Sequence, residues 1–115
     1  MRPALENITL LFKAFSDPIR LRLVVLLSLH GETCVCHLAQ AVGEPAFKIS
    51  RHLGVLRSLG FVEARREGTW IHYRLAEPRD AVENALMEFI RGPLATQEST
   101  MRDLSRLKEG PCPKE

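Results

Sequence analysis

The chain has 115 residues, of which 45% are hydrophobic, and its formal net charge is +2. This length predicts a single domain with a small core, and this hydrophobic fraction excludes a disordered chain. The net charge is too small to indicate a nucleic acid partner, so any basic surface must come from local placement of charges.

Membrane insertion and secretion are both unsupported by the sequence. The longest apolar run, near residues 23–29, is interrupted by Ser28 and falls far short of the ~20 residues that a membrane span needs. The N-terminus lacks the apolar core and cleavage site of a signal peptide. Three cysteines, two of them one residue apart, form a poor disulfide framework and suit the reducing cytoplasm, where we expect the protein.

The N-terminal third predicts two helices. Apolar residues at helical spacing indicate a first helix over residues 4–15, with the stripe Leu5, Ile8, Phe12 and Phe15. Asp17 is a predicted N-cap and Pro18 the first residue of a second helix that runs to Leu29. Apolar residues lie on nearly every face of this second helix, which is typical of a helix at the centre of a fold. Gly31 is expected to end it as a left-handed cap.

The next segment predicts a helix-turn-helix. Thr33 is expected to cap a short helix over residues 34–42 that stops at Gly43. Glu44-Pro45 then forms the turn into a helix within residues 45–60, whose apolar stripe is Ile49, Leu53 and Leu56. Two short helices joined by a glycine-containing turn form this motif.

Polar side chains in the first turns of the second of these helices are candidates for DNA contact. They can bond phosphates and base edges when a helix N-terminus enters the major groove, and they are Lys48, Ser50, Arg51 and His52. Arg57, on the flank, is a candidate for a phosphate contact. The alternative is an ordinary surface helix with a basic side.

A β-hairpin is predicted directly after this helix. Residues 61–66 are strand-like, Glu67-Gly68 is a turn signal, and residues 69–75 are β-branched and aromatic with alternating polarity. A hairpin in this position is typical of a winged helix. Its charged tip, with Arg65, Arg66 and Thr69, is expected to lie beside the minor groove or the DNA backbone, unless it is only a solvated hairpin.

The C-terminal part predicts further helices and an interface. Pro78 is expected to open a helix with the stripe Val82, Leu86 and Phe89; Gly92-Pro93 breaks it, and the spacing of Leu94, Met101, Leu104 and Lys108 continues beyond the break. We expect one winged-helix DNA-binding and dimerisation domain over residues 1–110 and a loose tail over residues 111–115.

The first and last helices carry more apolar surface than the central helices can cover. They either pack on their own domain or form a homodimer, which would place two recognition helices ~34 Å apart on a palindromic site.

Three segments resemble the ArsR/SmtB family of bacterial metal- and metalloid-responsive winged-helix repressors. They are AFSDPIRLRLVVLL (residues 14–27), ETCVCHLAQAV (residues 32–42) and KISRHLGVLRSLGFVEARREGTWIHYRL (residues 48–75). The resemblance implies a mainly α fold with a β-hairpin wing, a homodimer formed by the first and C-terminal helices, and a repressor rather than an enzyme. It implies that the dimer binds double-stranded operator DNA and leaves it when a metal binds. One departure is Pro45-Ala46-Phe47, where relatives often have Ser-Gln-Pro, so the operator sequence does not carry over.

The same resemblance implies that Cys34 and Cys36 bind the effector. Thiolates are soft ligands that suit arsenic(III) and antimony(III), with cadmium, lead and zinc as further candidates. In a regular helix these two side chains would point to different sides, so ligation of one ion would require the first turn to unwind. That distortion would couple effector binding to DNA release by ~1–3 kcal/mol. The alternative is that either cysteine is a small buried apolar residue.

The third ligand and the type of signal stay open. Ala39 occupies the position where arsenic-responsive relatives often have a further cysteine, which leaves Cys112 as a third ligand or as a free tail thiol. A disulfide or persulfide joining Cys112 to Cys34 or Cys36 would instead sense redox state. A zinc set is also conceivable, comprising His30, Cys34, Cys36 and His37.

Other sites and functions have less support. A zinc site in the C-terminal dimer helix looks absent, since residues 80–91 contain no histidine. A thiol enzyme or metal carrier lacks supporting motifs, and a winged helix that binds only protein is a further class.

Overall fold

The computed structural model describes residues 5–107. Within that range the chain forms six α-helices, one 3-10 helix and three strands: α1 (Leu5–Phe15), α2 (Pro18–His30), β1 (Thr33–Cys34), α3 (Val35–Val42), α4 (Ala46–Ser58), β2 (Val62–Glu67), β3 (Trp70–Leu75), α5 (Ala81–Arg91), the 3-10 helix Pro93–Thr96 and α6 (Glu98–Arg106). The fold is mainly α with a β-hairpin wing, as the sequence predicts.

Helix α2 lies at the centre of the fold. It begins where Asp17 accepts hydrogen bonds from the backbone N–H groups of Ile19 and Arg20, at 2.8 and 3.1 Å, with Pro18 in the first turn. The run of residues 23–27 is buried on every side, because helices α1, α3, α4, α5 and α6 all pack against α2. The predicted cap and the predicted central position are both confirmed. Gly31 ends the helix with a positive φ of 89°, but its ψ of −157° lies outside the left-handed helical region.

Helices α3 and α4 form the helix-turn-helix. Gly43 takes the left-handed conformation, with φ 83° and ψ 34°, and its N–H donates to the carbonyl of Ala39 at 2.8 Å. Helix α4 buries Ile49, Leu53 and Leu56 against the core, which is the predicted stripe. Because that stripe fixes the rotation of α4, the opposite face of the helix is left exposed.

The wing is an antiparallel hairpin of β2 and β3, with Gly68 in the turn at a positive φ of 64°. Strand β1 adds to the free edge of β3, so the sheet order is β1-β3-β2. Thr33 and Cys34 face Tyr73 and His72 in this pairing.

The start of α3 corrects one prediction. Thr33 does not cap the helix: it belongs to β1, and its hydroxyl donates to the carbonyl of Gly31 at 2.8 Å. Cys34 is the N-cap residue in an extended conformation, with φ −69° and ψ 144°, and the helix begins at Val35. The edge of β3 provides hydrogen-bonding partners that a local pattern cannot reveal. The expectation that the first turn must unwind assumed that Cys34 lies within the helix, and that assumption was wrong.

The start of α5 corrects a second prediction, which was that Pro78 opens this helix. Pro78 precedes the helix, and Asp80 is the N-cap, with a carboxylate that accepts the N–H of Glu83 at 2.9 Å. An aspartate oxygen can bond a free N–H of the first turn, which proline cannot do. The buried residues of α5 are Glu83, Met87 and Ile90, whereas Phe89 of the predicted stripe is 52% exposed.

The predicted break at Gly92-Pro93 is confirmed, since α5 ends at Arg91 and the 3-10 helix follows. Lys108 and the tail over residues 111–115 lie outside the described residues. None of the helices within residues 5–107 is both long and apolar enough to cross a membrane.

An ion pair between half-buried Arg22 and buried Asp103 joins α2 to α6. The guanidinium of Arg22 donates to both carboxylate oxygens of Asp103, at 2.9 and 2.8 Å, and to the carbonyl of Val42 at 3.1 Å. The hydrogen bonds that Arg22 donates to Asp103 raise the pKa of Arg22. This arrangement links the last described helix to the end of α3, where the helix-turn-helix bends.

Candidate functional site

The exposed side of α4 carries the residues that we call the recognition face. These residues follow one another at helical spacing, all are exposed, and they are Phe47, Ser50, Arg51 and Gly54. The guanidinium carbon of Arg51 lies 5.9 Å from the centroid of the Phe47 ring. A cation at this distance from an aromatic face is held by a cation–π interaction. The face therefore presents a positive charge and an apolar ring side by side.

Two other predicted contact residues on α4 already have partners in the chain. The Lys48 ammonium lies 3.1 Å from a carboxylate oxygen of Glu44. Nδ1 of His52 lies 3.2 Å from a guanidinium nitrogen of Arg20, and the His52 side chain is only 15% exposed. Because a guanidinium can only donate, Nδ1 of a neutral His52 accepts, which leaves Nε2–H as the ring's donor.

The wing carries three further predicted contacts. Arg65 is paired with Glu32 and with Glu67, the latter at 3.2 Å, and these hydrogen bonds raise the pKa of Arg65. The hydrogen bond from Arg65 likewise lowers the pKa of Glu32. Arg66 donates to the carbonyl of Gly68 at 3.4 Å, and Thr69 is exposed at the tip. Arg57, near the end of α4, is also exposed and lines the same surface cavity as Arg65.

The two described cysteines lie at a junction between elements. Cys34 ends β1 and Cys36 lies in the first turn of α3, and both are buried. Both are disulfide-bonded in the structure, so neither described cysteine is a free thiol. Cys112 lies outside the described residues.

We call residues 32–36 the cysteine junction, because three structural links meet there. Glu32 is paired with Arg65 of β2, β1 is hydrogen-bonded to β3, and α3 is the first helix of the helix-turn-helix. A displacement of either sulfur would therefore also displace the wing and α3, the helix that supports α4.

Histidines surround this junction without forming a metal site among the described residues. His37 is buried, and its pKa is lowered chiefly by that burial and also by the charges of His30 and His72. Nδ1 of His30 lies 3.0 Å from the Thr33 hydroxyl. Residues 5–107 contain no group of three or more His, Cys, Asp or Glu side chains placed to hold a metal ion. The zinc set of His30, Cys34, Cys36 and His37 is therefore not assembled here.

Two acidic residues at the start of α5 have structural partners. Asp80 caps the helix, and Glu83 is buried and paired with Arg79 at 2.6 Å.

Phe47 and Gly54 were not among the DNA-contact residues predicted from the sequence. Helical spacing from Arg51 is enough to find both. Their significance comes from exposure, because Phe47 is 70% exposed and a Cβ added to Gly54 would meet no atom within 4 Å.

Comparison with known sequences agrees with this architecture. The profile described as "Bacterial regulatory protein, arsR family" matches residues 17–64, which extend from the N-cap of α2 into β2. The arsenical resistance operon repressor of Escherichia coli K12 is 50% identical over 66 residues, and the match covers 57% of this chain and 56% of that protein. The chain thus aligns with little more than half of that relative's length.

Two longer matches extend the similarity. The arsenic resistance transcriptional regulator ArsR1 of Pseudomonas putida KT2440 is 37% identical over 100 residues, covering 87% of this chain and 77% of that protein. The solution structure of a homodimeric winged helix-turn-helix DNA-binding domain from Mycobacterium bovis has a TM-score of 0.63 and 30% identity, covering 85% of this chain and 94% of that one. The chain therefore belongs to the ArsR family of bacterial regulatory proteins, with the winged helix-turn-helix fold of its DNA-binding transcriptional repressors.

Proposed function

We propose that this protein represses transcription as a homodimer on operator DNA and is released when arsenic(III) or antimony(III) binds Cys34 and Cys36. The observation that carries the proposal is the position of the cysteine junction, which is bonded both to the wing and to the helix-turn-helix. Relatives named for arsenical resistance support the choice of a metalloid.

The DNA contacts follow from exposure and charge. Ser50 and Arg51 on the recognition face would enter the major groove, with Lys48 and His52 beside them. Arg57 would contact a phosphate, and Arg65, Arg66 and Thr69 would place the wing along the backbone or the minor groove. Lys48, His52 and Arg65 would each exchange or share an internal partner on binding, so we expect Arg51 to contribute most to specificity.

Exposed apolar side chains of α1 and α5 support the homodimer. Leu5 and Phe12 on α1 are 79% and 58% exposed, and Phe89 on α5 is 52% exposed. Leu5 and Phe12 are seven residues apart and therefore lie on one side of α1. A second copy of the chain would cover these side chains, as the homodimeric state of the relative from Mycobacterium bovis suggests.

The chemistry of the proposed effector site is that of soft ligands. Reduced Cys34 and Cys36 would supply thiolates, which bind soft metals and metalloids better than oxygen ligands do. Cys36 lies in the first turn of α3, where the helix N-terminus favours the thiolate. Cys112 is the candidate third ligand. Because Cys34 is already extended, ligation does not require α3 to unwind.

We propose that release is transmitted through strand β1 instead. In the reduced protein, a ligand that binds the Cys34 and Cys36 sulfurs would shift β1 relative to β3, to which β1 is hydrogen-bonded. The pairing of Glu32 with Arg65 and the start of α3 would move with it. A shift at this junction would alter the angle between the wing and α4, which together have to fit the DNA.

The test is DNA anisotropy under reducing conditions, with arsenite, antimonite, cadmium, lead and zinc added in turn. The duplex comes from the protein's own promoter, and the proteins are the wild type, Cys34→Ser, Cys36→Ser, the double variant and Cys112→Ser. We expect arsenite or antimonite to release the wild type and to fail with the double variant. Release that persists in the double variant would overturn the site. An unchanged response of Cys112→Ser would remove Cys112 as a ligand.

Redox sensing is a second candidate, and the disulfide-bonded state of Cys34 and Cys36 favours it. Here oxidation, rather than a metalloid, would change the cysteine junction and release the DNA. The two candidates differ in their requirement for an oxidant. Peptide mass spectrometry of the oxidised protein, combined with anisotropy in the presence and absence of reductant, separates them. The redox candidate needs a defined cross-link and release without any metalloid.

A further inference from the structure

An aromatic ring is exposed on the surface of α4. Phe47 lies in the first turn and is 70% exposed, whereas Ile49, Leu53 and Leu56 of the same helix are fully buried. The core therefore does not use Phe47. An exposed ring in this position favours a partner that lies outside the chain.

Gly54, two turns along the same face, points to close approach by that partner. A glycine inside a helix lowers its stability, and the chain has no packing reason for this one, because an added Cβ would meet no atom within 4 Å. Because Gly54 has no side chain, the helix surface beside Arg51 is recessed, and the backbone of a binding partner can approach it closely. The Phe47 ring lies at the N-terminal end of α4 and the recess at Gly54 lies further along the same face. This arrangement suits a helix that enters a groove by its N-terminus.

The chemistry of the face identifies the occupant. The Arg51 guanidinium lies against the Phe47 ring, so the apolar group sits beside a cation that suits phosphate or guanine. Within the major groove, the apolar group on the base edges is the 5-methyl group of thymine. We propose that Phe47 reads a thymine methyl in the operator.

This inference rests on the proposed DNA binding and adds a specific base contact to it. Two other roles for Phe47 are outcomes of the test. The ring could serve only to orient Arg51 through the cation–π contact, or it could dock a protein partner. Neither role depends on a methyl group of the DNA.

The experiment removes that methyl group alone. Operator duplexes located by footprinting are prepared with each half-site thymine replaced in turn by uracil. Their dissociation constants are measured by anisotropy for the wild type, Phe47→Ala, Phe47→Leu and Arg51→Ala. Because Phe47 is exposed, the variants are expected to fold, and thermal melting checks this.

We expect one thymine position at which uracil weakens wild-type binding about fourfold, the factor provided by burial of one methyl group. Phe47→Ala should bind the thymine and uracil duplexes equally. Phe47→Leu should keep most of the discrimination, since leucine retains the apolar contact but offers Arg51 no ring.

Equal uracil effects in the wild type and Phe47→Ala at every position would overturn the inference. So would discrimination that is lost in Arg51→Ala and Phe47→Leu alike, because the ring would then act only through Arg51. A wild-type protein that binds no duplex at all would instead disprove the proposed function itself.

Discussion

Cys34 lies directly across the sheet from His72, its register partner in the antiparallel pairing of β1 with β3. One residue before it on β1, Thr33 faces Tyr73, which is buried in the core. The cysteine that the family resemblance assigns to the effector is thus part of the same sheet as the wing. We therefore expect effector binding at the sulfurs to move the wing as well as the first turn of α3.

Arg51 and Arg66 should affect DNA binding in different ways. Arg51→Ala should weaken operator binding by ~1–3 kcal/mol if the guanidinium reads a base, while leaving non-specific binding less affected.

Arg66→Gln should weaken binding to all sequences alike. It should also reduce the slope of log affinity against log salt concentration by about 0.9 for each phosphate that the side chain no longer neutralises. Anisotropy titrations at several salt concentrations measure both. Operator affinity unchanged by Arg51→Ala would remove this residue from the recognition face.

Gly54→Ala should separate stability from function. Alanine in a helix interior is more favourable than glycine by about 0.8–1.0 kcal/mol, and there is open space for the added methyl, so the free energy of unfolding should rise. Operator binding should weaken, because the methyl lies where we expect DNA to approach. Urea unfolding and anisotropy give the two quantities. A variant that is more stable and binds as tightly would show that DNA stays away from Gly54.

The buried carboxylate of Asp103 should matter to stability. Asp103→Ala leaves Arg22 without its bidentate partner, and we expect a loss of about 2–3 kcal/mol, below the usual cost of breaking a buried pair, because the Arg22 side chain is 30% exposed. Arg106→Ala is the matched control, since Arg106 contacts the same carboxylate at 3.6 Å from the surface and should cost less than about 0.5 kcal/mol. Similar losses from both substitutions would contradict this assignment.

The proposed dimer interface can be tested by introducing one glutamate into α1 and one into α5. Phe12→Glu and Phe89→Glu should each shift the protein toward monomer, because a carboxylate would be buried against the second copy. Leu29→Glu is the control, as Leu29 is an exposed apolar residue of α2 outside the proposed interface. Sedimentation velocity gives the oligomeric state. Dimers that survive both phenylalanine substitutions would rule out this interface.

Local patterns were enough to predict much of this fold. Asp17 as a cap, Gly43 as the residue at which α3 stops and the buried stripe of α4 each depend on neighbours within one or two helical turns. The exposed position of Arg51 followed from the same stripe, because burying one side of a helix exposes the other.

The errors arose where distant residues decide the structure. Thr33 is a reasonable cap by its own chemistry, but β3, some forty positions later in the chain, offers it a strand partner instead. Asp103 and Glu83 are charged residues that local patterns place on the surface, and they are buried because Arg22 and Arg79 reach them. The role of Phe47 depends on how the whole helix is seated, which its own neighbours do not reveal.

The most direct test of the proposed mechanism is amide hydrogen exchange in the wing, residues 62–75, with and without arsenite in the reduced protein. We predict that arsenite speeds exchange in β3 of the wild type, as β1 shifts, and leaves it unchanged in the Cys34→Ser/Cys36→Ser double variant. Arsenite that releases DNA from the wild type while the wing amides exchange as before would contradict transmission through the β1–β3 pairing.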